Sequence, residues 1–516
     1  MKTITDYRNE PPVNFADEAA KAAMQAALAK VKNQLGQTYP LVIGGKRIQT
    51  EQTSPSLNPA NHSQVVGHVS QATRQHIDEA FAAAEATFKT WRYTDPEVRA
   101  GYLFKAAAEI RRRKLELAAW QVYEVGKNWA EADGDIAEAI DFLEFYGRQM
   151  LRMAQPEPLV PFPGEVNYEV YAPLGVGVII PPWNFPLAIL TGMTTSAIVA
   201  GNTVLLKPSP NSSVVGYKFI ELMEQIGLPA GVINFVPGAP EEIGDYMTGH
   251  PETTFVSFTG SKNVGVHIAE HAAKKVDDQH GIKRVVAEMG GKDGIIVDNE
   301  ADLDAAALAI VQSAFGFQGQ KCSAGSRAII HEDVYDEVVS KVVEATKALT
   351  VGTPESNAAV GPVIEKKQFD KILSYVEIGK REAKLVLGGT ADESTGYYIH
   401  PTIFIDADPK SRIMQEEIFG PVLSICKVRS FEEAVDVFND TEYGLTGSVF
   451  TLNREHLAYA AQRIDCGNLY FNRKCTGSLV GVHPFGGFKM SGTDAKAGGK
   501  DYLRHFVVSK IISERM

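Results

Sequence analysis

Apolar residues recur every three to four positions through most of the first third of the chain, which is the spacing of a helix with one buried face. The pattern predicts four helices, over 17–35, 76–91, 96–126 and 130–146, with short strand-like runs between the first two. A proline-rich connector follows around Pro156 to Pro163, and residues 166–171 then alternate apolar and polar side chains. We interpret these two segments as an excursion from the main domain.

From Gly175 onward the pattern changes to short apolar runs separated by helical segments. Four such runs, GVGVII, TVLLKP, GVINFVPG and TFVSFTGS, lie between 175 and 261. Continuous apolar strands that alternate with helices are typical of a parallel, doubly wound sheet with both faces covered. Such sheets bind ligands outside the carboxyl ends of their strands, so we expect the motifs described below at those ends.

A second series of strands and helices begins near Gly294, with further strands near 328, 404, 422 and 449. The pattern therefore predicts two α/β domains and a small appendage. The C-terminal run FVVSKIISE is strand-like, and we expect it to return and pair with the proline-rich excursion. Because two remote segments that pair in a projecting arm often form a subunit interface, we expect a homo-oligomer, either a dimer or an assembly of dimers.

Composition narrows the class of protein. The chain has 516 residues, 44% of them hydrophobic, which is enough for several cores. Its net charge of -12 is spread along the sequence, and the absence of a basic block with aromatics argues against a nucleic-acid partner. The four cysteines lie in separate contexts without metal-ligand spacing, as expected of free thiols in a reducing compartment, so we expect no metal site.

Two features bear on location. The N-terminal residues lack the apolar core of a secretory signal and the Arg-rich character of a transit peptide, so a cytoplasmic location is expected. Residues 170–206 contain no Asp, Glu, Lys or Arg, but a spanning helix needs about 20 apolar residues, and Pro181, Pro182 and Pro186 interrupt the stretch. A buried strand-helix-strand segment is therefore favoured, and no membrane partner is expected.

Cys322 is the first candidate for chemistry. It lies in Gly-Gln-Lys-Cys-Ser-Ala-Gly, a short polar loop between a helix that ends near Phe317 and a strand that begins near Arg327. A cysteine in such a loop is more exposed than a core cysteine, and its thiolate is a strong nucleophile. Taken alone, the loop is equally consistent with an ordinary small buried residue.

Two other motifs favour a catalytic thiol. Asn184 in PWNFP ends a strand and opens a helix, where its amide could donate to an oxyanion, although a lone asparagine there is usually a helix cap. Glu288 follows the strand RVVA, and Gly290 and Gly291 allow a close approach to its carboxylate, which could act as general base for water. The alternative for Glu288 is a salt bridge with Lys292.

Further motifs suit a dinucleotide. Gly260 and Ser261, with Gly265, link a strand to a helix start, where backbone N–H groups and a hydroxyl can contact a pyrophosphate, although this is not the G-x-G-x-x-G fingerprint. A lysine at the end of TVLLK suits ribose hydroxyls, and the EEIFGP motif offers a carboxylate and an aromatic ring. The residues expected at the cofactor are Trp183, Lys207, Ser209, Gly260, Ser261, Gly265, Glu417 and Phe419.

Taken together, these residues resemble the aldehyde dehydrogenase superfamily over essentially the whole chain, in the order PWNFP, LLKPS, FTGS, EMGGK, GQKCSAG, EEIFGPV and PFGGFKMSG. The resemblance implies Cys322 as nucleophile, Glu288 as general base, and Asn184 with the Cys322 N–H as oxyanion hole. It also implies a Rossmann-like cofactor domain, an α/β catalytic domain and a small β oligomerisation arm. Their expected ranges are 1–150 with 172–288, then 289–490, and then 151–171 with 491–516.

Within the superfamily, the chain most resembles the enzymes of proline degradation that oxidise L-glutamate γ-semialdehyde to glutamate. The resemblance rests on GQKCSA, NLYFNR, TGSLVG and HPFGGFKMSGTDAKAGG. By analogy, Ser323 and the turn Gly477-Ser478 would hold the substrate carboxylate, and Phe185 and Phe485 would flank its aliphatic chain. Hydroxyls and consecutive N–H groups can bind an anion without a buried cation, although polar residues and glycines are also common in plain turns.

Several alternatives stay open. The family often has an acidic residue three positions after the cofactor lysine, and Pro210 stands there, so we expect weak discrimination against a 2′-phosphate. NAD is the favoured cofactor, and NADP use stays open. The substrate could be another small semialdehyde or a betaine aldehyde. A reductive reaction on an acyl phosphate and a non-catalytic scaffold are the rival classes, and Glu288, Asn184 and Cys322 together argue against both. The resemblance leaves a transient partnership with proline dehydrogenase open.

Overall fold

A computed structural model describes residues 5–516 of the protein. Within this range the α-helices alternate with strands after an N-terminal helical third, as the apolar pattern predicts. Their bounds are α1 Glu18–Lys32, α2 Arg74–Trp91, α3 Pro96–Arg112, α4 Lys114–Val125, α5 Trp129–Met153, α6 Ala188–Val199, α7 Ser213–Gln225, α8 Pro240–Gly249, α9 Lys262–Ala272, α10 Leu303–Phe315, α11 Tyr335–Lys347, α12 Lys366–Glu382, α13 Arg412–Gln415, α14 Phe431–Asn439 and α15 Arg454–Arg463.

The apolar run at 96–126 is two helices rather than the single helix that its periodicity predicts. Arg113 breaks the run with φ -104° and ψ 15°, outside the α region. Because α3 and α4 bury their apolar faces in the same core cluster, their periodicity continues across the break and does not mark it. Gly126 then ends α4 in the left-handed conformation, with φ 69°, which only glycine adopts easily.

The strands fall into two large sheets and several small ones. Their bounds are β1 Gln37–Tyr39, β2 Leu41–Ile43, β3 Lys46–Ile48, β4 Thr53–Asn58, β5 Asn61–Ser70, β6 Glu157–Pro158, β7 Glu165–Pro173, β8 Val176–Ile180, β9 Thr203–Leu206, β10 Ile233–Phe235, β11 Thr253–Thr259, β12 Arg284–Glu288, β13 Gly294–Val297, β14 Arg327–His331, β15 Lys384–Leu387, β16 Ala391–Asp392, β17 Tyr398–Ile399, β18 Thr402–Ile405, β19 Val422–Val428, β20 Tyr443–Gly444, β21 Thr446–Phe450, β22 Asn468–Phe471, β23 Phe488–Lys489 and β24 Val507–Arg515.

The first large sheet has the order β12-β11-β8-β9-β10-β2-β3. Its strands from β12 to β10 are parallel, and β2 and β3 add an antiparallel hairpin at one side. Asn184 follows β8, Lys207 follows β9, Ser261 follows β11, and Glu288 ends β12. These four residues therefore lie at the carboxyl edge of the sheet, as expected.

The second large sheet has the order β15-β18-β19-β14-β13-β21-β22 and is parallel except for β15. Here the expectation that every motif lies at a carboxyl edge is wrong. Cys322 precedes β14, and Glu417 and Phe419 precede β19, so these residues lie at the amino edge of their sheet. The physical reason is that the site is shared: the amino edge of the second sheet meets the carboxyl edge of the first.

The small three-stranded sheet has the order β24-β7-β6. β24 pairs with β7 in antiparallel register from Val507↔Pro173 to Arg515↔Glu165, which confirms the predicted return of the C-terminal segment. The exact domain boundaries stay a prediction. Among residues 5–516, no helix combines the length and the apolar character that crossing a membrane would require.

The glycine at position 177 serves packing within the first sheet, which generates a stability prediction. A Cβ atom at Gly177 would lie 2.0 Å from the ring of Phe255 on the neighbouring strand. We expect Gly177→Ala to lower the free energy of unfolding in urea by about 1–3 kcal/mol, since overpacking forces the buried ring to move.

The matched control is Gly101→Ala in α3, which adds a Cβ with no neighbouring heavy atom within 4 Å among residues 5–516. It should leave the free energy of unfolding unchanged or raise it by about 0.5–1 kcal/mol. A Gly177→Ala protein as stable as the wild type would contradict this account of the sheet.

Candidate active site

Cys322 lies in a turn between a 3-10 segment, Gly316–Gly319, and β14. It is half-buried, whereas the other three cysteines are buried, so it differs from an ordinary core cysteine. Burial raises the pKa of its thiol, and the carboxylates of Asp293, Glu417 and Glu288 raise it further. The resting thiol is therefore protonated, and a base has to remove its proton before it can act as a nucleophile.

The backbone before this turn is strained. Phe317 and Gln318 have φ values of 49° and 56°, in the left-handed region that residues other than glycine rarely adopt. The Gln318 side chain donates hydrogen bonds to the carbonyl oxygens of Gly126, at 3.3 Å, and Pro362, at 2.9 Å. Such strain persists only when surrounding contacts hold it, and it is concentrated at functional sites.

Asn184 connects the first sheet to this turn. Its side chain is 4% exposed, and its amide donates a 3.0 Å hydrogen bond to the carbonyl oxygen of Gln320, two residues before Cys322. The N-terminal cap position of α6 belongs to Leu187, so Asn184 is not the cap of that helix. The second N–H of the amide has no acceptor among the described residues.

Glu288 is 8% exposed, and neither of its carboxylate oxygens has a hydrogen-bond partner among the described residues. A Cβ atom on Gly486 or Gly492 would approach these oxygens to 3.2 Å and 3.1 Å, so the two glycines leave room for the carboxylate. Burial raises its pKa to about 8. No salt bridge joins it to Lys292 in the part of the chain that the structure describes, so that alternative is not observed.

Two buried ionisable groups behind the nucleophile were not among the predicted site residues. Burial lowers the pKa of Lys292 to about 7, and burial raises that of Asp293 to about 8. Asp293 accepts a 2.6 Å hydrogen bond from the Thr446 backbone N–H, which ties β13 to β21. An ionisable residue directly after EMGGK, where a buried strand begins, is the sequence signal that could have identified Asp293.

The residues expected at the cofactor lie along the same edge. Lys207 is 4% exposed, and burial lowers its pKa to about 8, while Glu241 raises it in part. Ser261 is the N-cap residue of α9 and makes no side-chain capping hydrogen bond, so its hydroxyl and the first N–H groups of α9 remain available to an anion. Ser209 follows Lys207 by two positions. This donor set fits the pyrophosphate and one ribose of a dinucleotide.

Glu417 and the aromatic residues close the other side. The Glu417 carboxylate accepts a 3.2 Å hydrogen bond from the N–H of Gly291, which lies in the turn that follows Glu288. The ring of Trp183 contacts Phe419 edge-on, with the centroids 5.6 Å apart, and Phe317 at 6.4 Å. The structure therefore brings the PWNFP, EEIFGP and GQKCS segments together.

Two of the glycines predicted at the cofactor pack closely against neighbouring side chains. A Cβ atom on Gly265 would lie 2.5 Å from the Met289 sulfur, and one on Gly260 would lie 2.6 Å from the ring of Phe258. They allow α9 to approach the ends of β11 and β12 closely, which sets the distance between the helix N-terminus and Glu288.

The turn Gly477-Ser478 is held by residues that sequence reasoning missed. The Ser478 and Tyr470 hydroxyls form a 2.6 Å hydrogen bond, and the Arg473 guanidinium donates to the carbonyl oxygens of Thr476, at 3.0 Å, and Gly477, at 3.1 Å. With its carbonyls held by Arg473, this turn has its N–H groups free to bind an anion.

The same turn is tied to the nucleophile. The buried Cys475 thiol donates to the carbonyl oxygen of Ser323, at 3.5 Å. Phe485 is half-buried, and its backbone pairs with Ala497 through two 2.8 Å hydrogen bonds. Phe185 is also half-buried, and its ring lies 4.1 Å from the Lys127 ammonium.

A group with metal-ligand chemistry lies elsewhere. The nearest ligand atoms of Asp298, Glu300 and His456 are within 4.8 Å of one another. Asp298 already accepts hydrogen bonds from the Thr451 hydroxyl at 2.6 Å and forms a 2.7 Å contact with His456, and Glu300 accepts from Asn453 at 2.8 Å. These contacts occupy the ligand atoms of Asp298 and Glu300, and they join Glu300 to Asn453, the N-cap residue of α15.

Comparisons with known proteins identify one matching family and several similar proteins. The profile of the aldehyde dehydrogenase family matches residues 47–512. The chain is 56% identical to 1-pyrroline-5-carboxylate dehydrogenase of Oceanobacillus iheyensis over 513 residues, which cover 99% of this chain and 100% of that one. It is similar to the structure of the Thermus enzyme of that name with bound NAD, at 51% identity and a TM-score of 0.98, covering 100% of both chains.

A second similar structure is proline utilization A from Bdellovibrio bacteriovorus, at 42% identity and a TM-score of 0.97. The match covers 99% of this chain but 53% of that one, so the other protein contains a further region without a counterpart here.

The different burial of the cysteines generates a labelling prediction. Iodoacetamide should modify Cys322 before Cys426, Cys466 and Cys475, because the last three are buried. The rate should increase with pH throughout the neutral range, since the raised pKa of Cys322 keeps the reactive thiolate scarce. Mass spectrometry of the labelled peptides measures both effects.

A Cys322→Ser variant is the control, and it should lose the fastest labelling event and no other. Faster labelling of Cys466 or Cys475 than of Cys322 would contradict the proposed accessibility of this turn.

Proposed function

Because the chain belongs to the aldehyde dehydrogenase family, we propose that it oxidises L-glutamate 5-semialdehyde to L-glutamate with NAD, as a step of proline degradation. This semialdehyde is in equilibrium with 1-pyrroline-5-carboxylate, the compound named in the relatives. The observation that carries the proposal is the meeting of Cys322, Asn184 and Glu288 at the shared edge of the two sheets.

The first half of the reaction forms a covalent bond to Cys322. Water or hydroxide takes the thiol proton, and the thiolate that forms is the nucleophile. The sulfur attacks the aldehyde carbon, and the carbonyl oxygen becomes an oxyanion. The free N–H of Asn184 and the Cys322 backbone N–H stabilise this charge, because preorganised donors in a buried site act without solvent reorganisation.

The second half releases the acid. When NAD is bound by Lys207, Ser261 and Glu417, its nicotinamide ring accepts the hydride that leaves the substrate carbon. The carbonyl re-forms as a thioester on Cys322. Glu288 then removes a proton from water, the water oxygen attacks the thioester carbon, and the Cys322 thiolate leaves.

Recognition of a carboxylated substrate is assigned to the turn beside the nucleophile. The Gly477 and Ser478 N–H groups, with the Ser323 hydroxyl, bind the α-carboxylate, and the hydrogen bond between Tyr470 and Ser478 supports the turn. Phe185 and Phe485 flank the aliphatic chain. The tie from Cys475 to Ser323 keeps the carboxylate site and the reacting carbon at a fixed separation.

The choice between NAD and NADP depends on the ribose site. Pro210 occupies the position where the family often has an acidic residue. The carboxylate whose charge raises the pKa of Lys207 is that of Glu241, at the exposed start of α8. NAD is the proposed cofactor, and NADP is the weaker alternative because Lys207 can also pair with a 2′-phosphate.

Assembly through the β24-β7-β6 sheet is part of the proposal. Val160, Phe162 and Ile511 are exposed apolar side chains on this small sheet and its connector, at 88%, 62% and 55% exposure. A second copy of the chain would cover them, which supports a homo-oligomer. Proline dehydrogenase is the proposed transient partner, since it makes the substrate and the proline utilization A protein matches this chain over about half of its length.

The substrate assignment is tested by rates with two aldehydes. Glutamate semialdehyde should reduce NAD with a higher kcat/KM than propionaldehyde, which has no carboxylate. Ser478→Ala should raise KM for glutamate semialdehyde about tenfold, because it removes the hydrogen bond to Tyr470 and so loosens the turn whose N–H groups bind the carboxylate, and it should leave KM for propionaldehyde unchanged. Equal kcat/KM for the two aldehydes in the wild type would refute the substrate assignment.

The role of Glu288 is tested by separating the two halves of the reaction. Glu288→Gln should retain a burst of NADH and lose steady-state turnover by about 10²–10⁴-fold, because water is no longer deprotonated. In the wild type, thioester hydrolysis should speed up as pH rises through about 8, where the carboxyl group ionises. Stopped-flow absorbance and acid quench measure the two phases.

Glu124→Gln is the control for loss of a buried carboxylate. Burial raises the pKa of Glu124 to about 7, and its oxygens accept hydrogen bonds from Val214 and Val215, away from the proposed site. This variant should keep the wild-type pH profile of hydrolysis. Steady-state turnover that survives in Glu288→Gln would show that another group is the base.

A further inference from the structure

Lys127 is a buried lysine beside the site whose charge the mechanism above does not use. Its side chain is 0% exposed, and its ammonium makes no hydrogen bond among the described residues. The nitrogen lies 4.1 Å from the ring centroid of Phe185 and 4.8 Å from that of Phe317. The nearest carboxylate is Asp135, at 3.6 Å and also fully buried.

A desolvated ammonium is costly, and a well-packed apolar side chain of similar size is often at least as stable in its place. Stability alone therefore does not explain Lys127. Two aromatic faces and one carboxylate at ion-pair distance supply the compensation, because an ammonium is attracted to the negative face of a ring, most strongly away from water.

The two rings belong to the two segments that form the catalytic centre. Phe185 follows Asn184 directly, and Phe317 lies in the strained stretch that leads to Cys322. Asn184 and Gln320 join the same segments by their hydrogen bond. The Lys127 ammonium contacts both segments through the rings of Phe185 and Phe317, so it forms a second connection between them.

Asp135 fixes this ammonium relative to the first segment. Its carboxylate accepts hydrogen bonds from the backbone N–H groups of Leu187, at 3.2 Å, and Ala188, at 3.4 Å, at the start of α6, and from the Gln121 side chain. The ion pair is thus bonded to the start of α6, directly after the segment that contains Asn184 and Phe185.

We propose that Lys127 is a positioning residue, whose buried ammonium holds the rings of Phe185 and Phe317 together and so keeps the Asn184 amide aligned with the Cys322 thiol for thioester formation. The inference rests on the proposed function. Small displacements of reacting groups reduce rates strongly, so loss of this contact affects the acylation step first.

The test is Lys127→Met, which keeps the straight side chain and removes the charge. The burst rate of NADH formation should fall at least tenfold, while the dissociation constant for NAD and the rate of thioester hydrolysis stay within twofold of the wild type. A merely structural role would change all three measurements or none of them.

Lys218→Met is the matched control. Lys218 is also buried, its ammonium lies 4.9 Å from the ring centroids of both Tyr39 and Trp120, and it pairs with Glu221 at 3.0 Å. None of these partners belongs to the proposed site. This variant should show a comparable change in unfolding and an unchanged burst rate.

Phe317→Leu is the second variant, in case Lys127→Met does not fold. It removes one ring and should reduce the burst rate without changing NAD binding. An unchanged burst rate in either folded variant, or an equal loss of burst rate in Lys218→Met, would overturn the inference. If the wild-type protein forms no acid from any aldehyde, the proposed function itself is wrong, which is a different outcome from these.

Discussion

The hydrogen bond from the Asn184 amide to the carbonyl oxygen of Gln320 crosses from the first large sheet to the second, and the arrangement of the site depends on it. The first sheet contributes its carboxyl edge and the second its amino edge, so no single strand end carries the whole site. Because Gln320 is two residues from Cys322, this contact joins the turn that carries the thiol to the sheet that carries Glu288 and the dinucleotide-binding edge.

Burial is the second physical factor, and it acts on acids and bases in opposite directions. It raises the pKa of Glu288 and Asp293 to about 8 and lowers that of Lys292 to about 7. Groups that would be fully charged in water are thereby brought close to neutrality at physiological pH, where proton transfer in either direction is easy.

Much of the fold could be predicted because its signals are local. The strand and helix alternation after Gly175 and the pairing of β24 with β7 follow from apolar periodicity and were found as expected. The break at Arg113 was missed because both helices bury the same face. The amino-edge position of Cys322 was missed because a motif shows which strand it adjoins, while the way in which two sheets face each other depends on contacts distant in sequence.

The site shows the same division. Cys322, Asn184 and Glu288 lie in recognisable motifs, whereas Lys127 and Arg473 act through contacts that only the folded chain creates. Lysine and arginine are common on surfaces, so Lys127 does not stand out in the sequence, and the NLYFNR motif does not show that Arg473 holds the turn at Gly477. Residues that support a site from behind are in general less visible than residues that touch the substrate.

The covalent role of Cys322 is the claim on which the account depends, and Cys322→Ala tests it most directly. Steady-state NADH formation from glutamate semialdehyde and NAD binding, followed by tryptophan fluorescence, are measured on the same purified variant. The account predicts that turnover is abolished while the dissociation constant for NAD is unchanged. Persistent NADH formation in a Cys322→Ala protein would contradict the thioester mechanism.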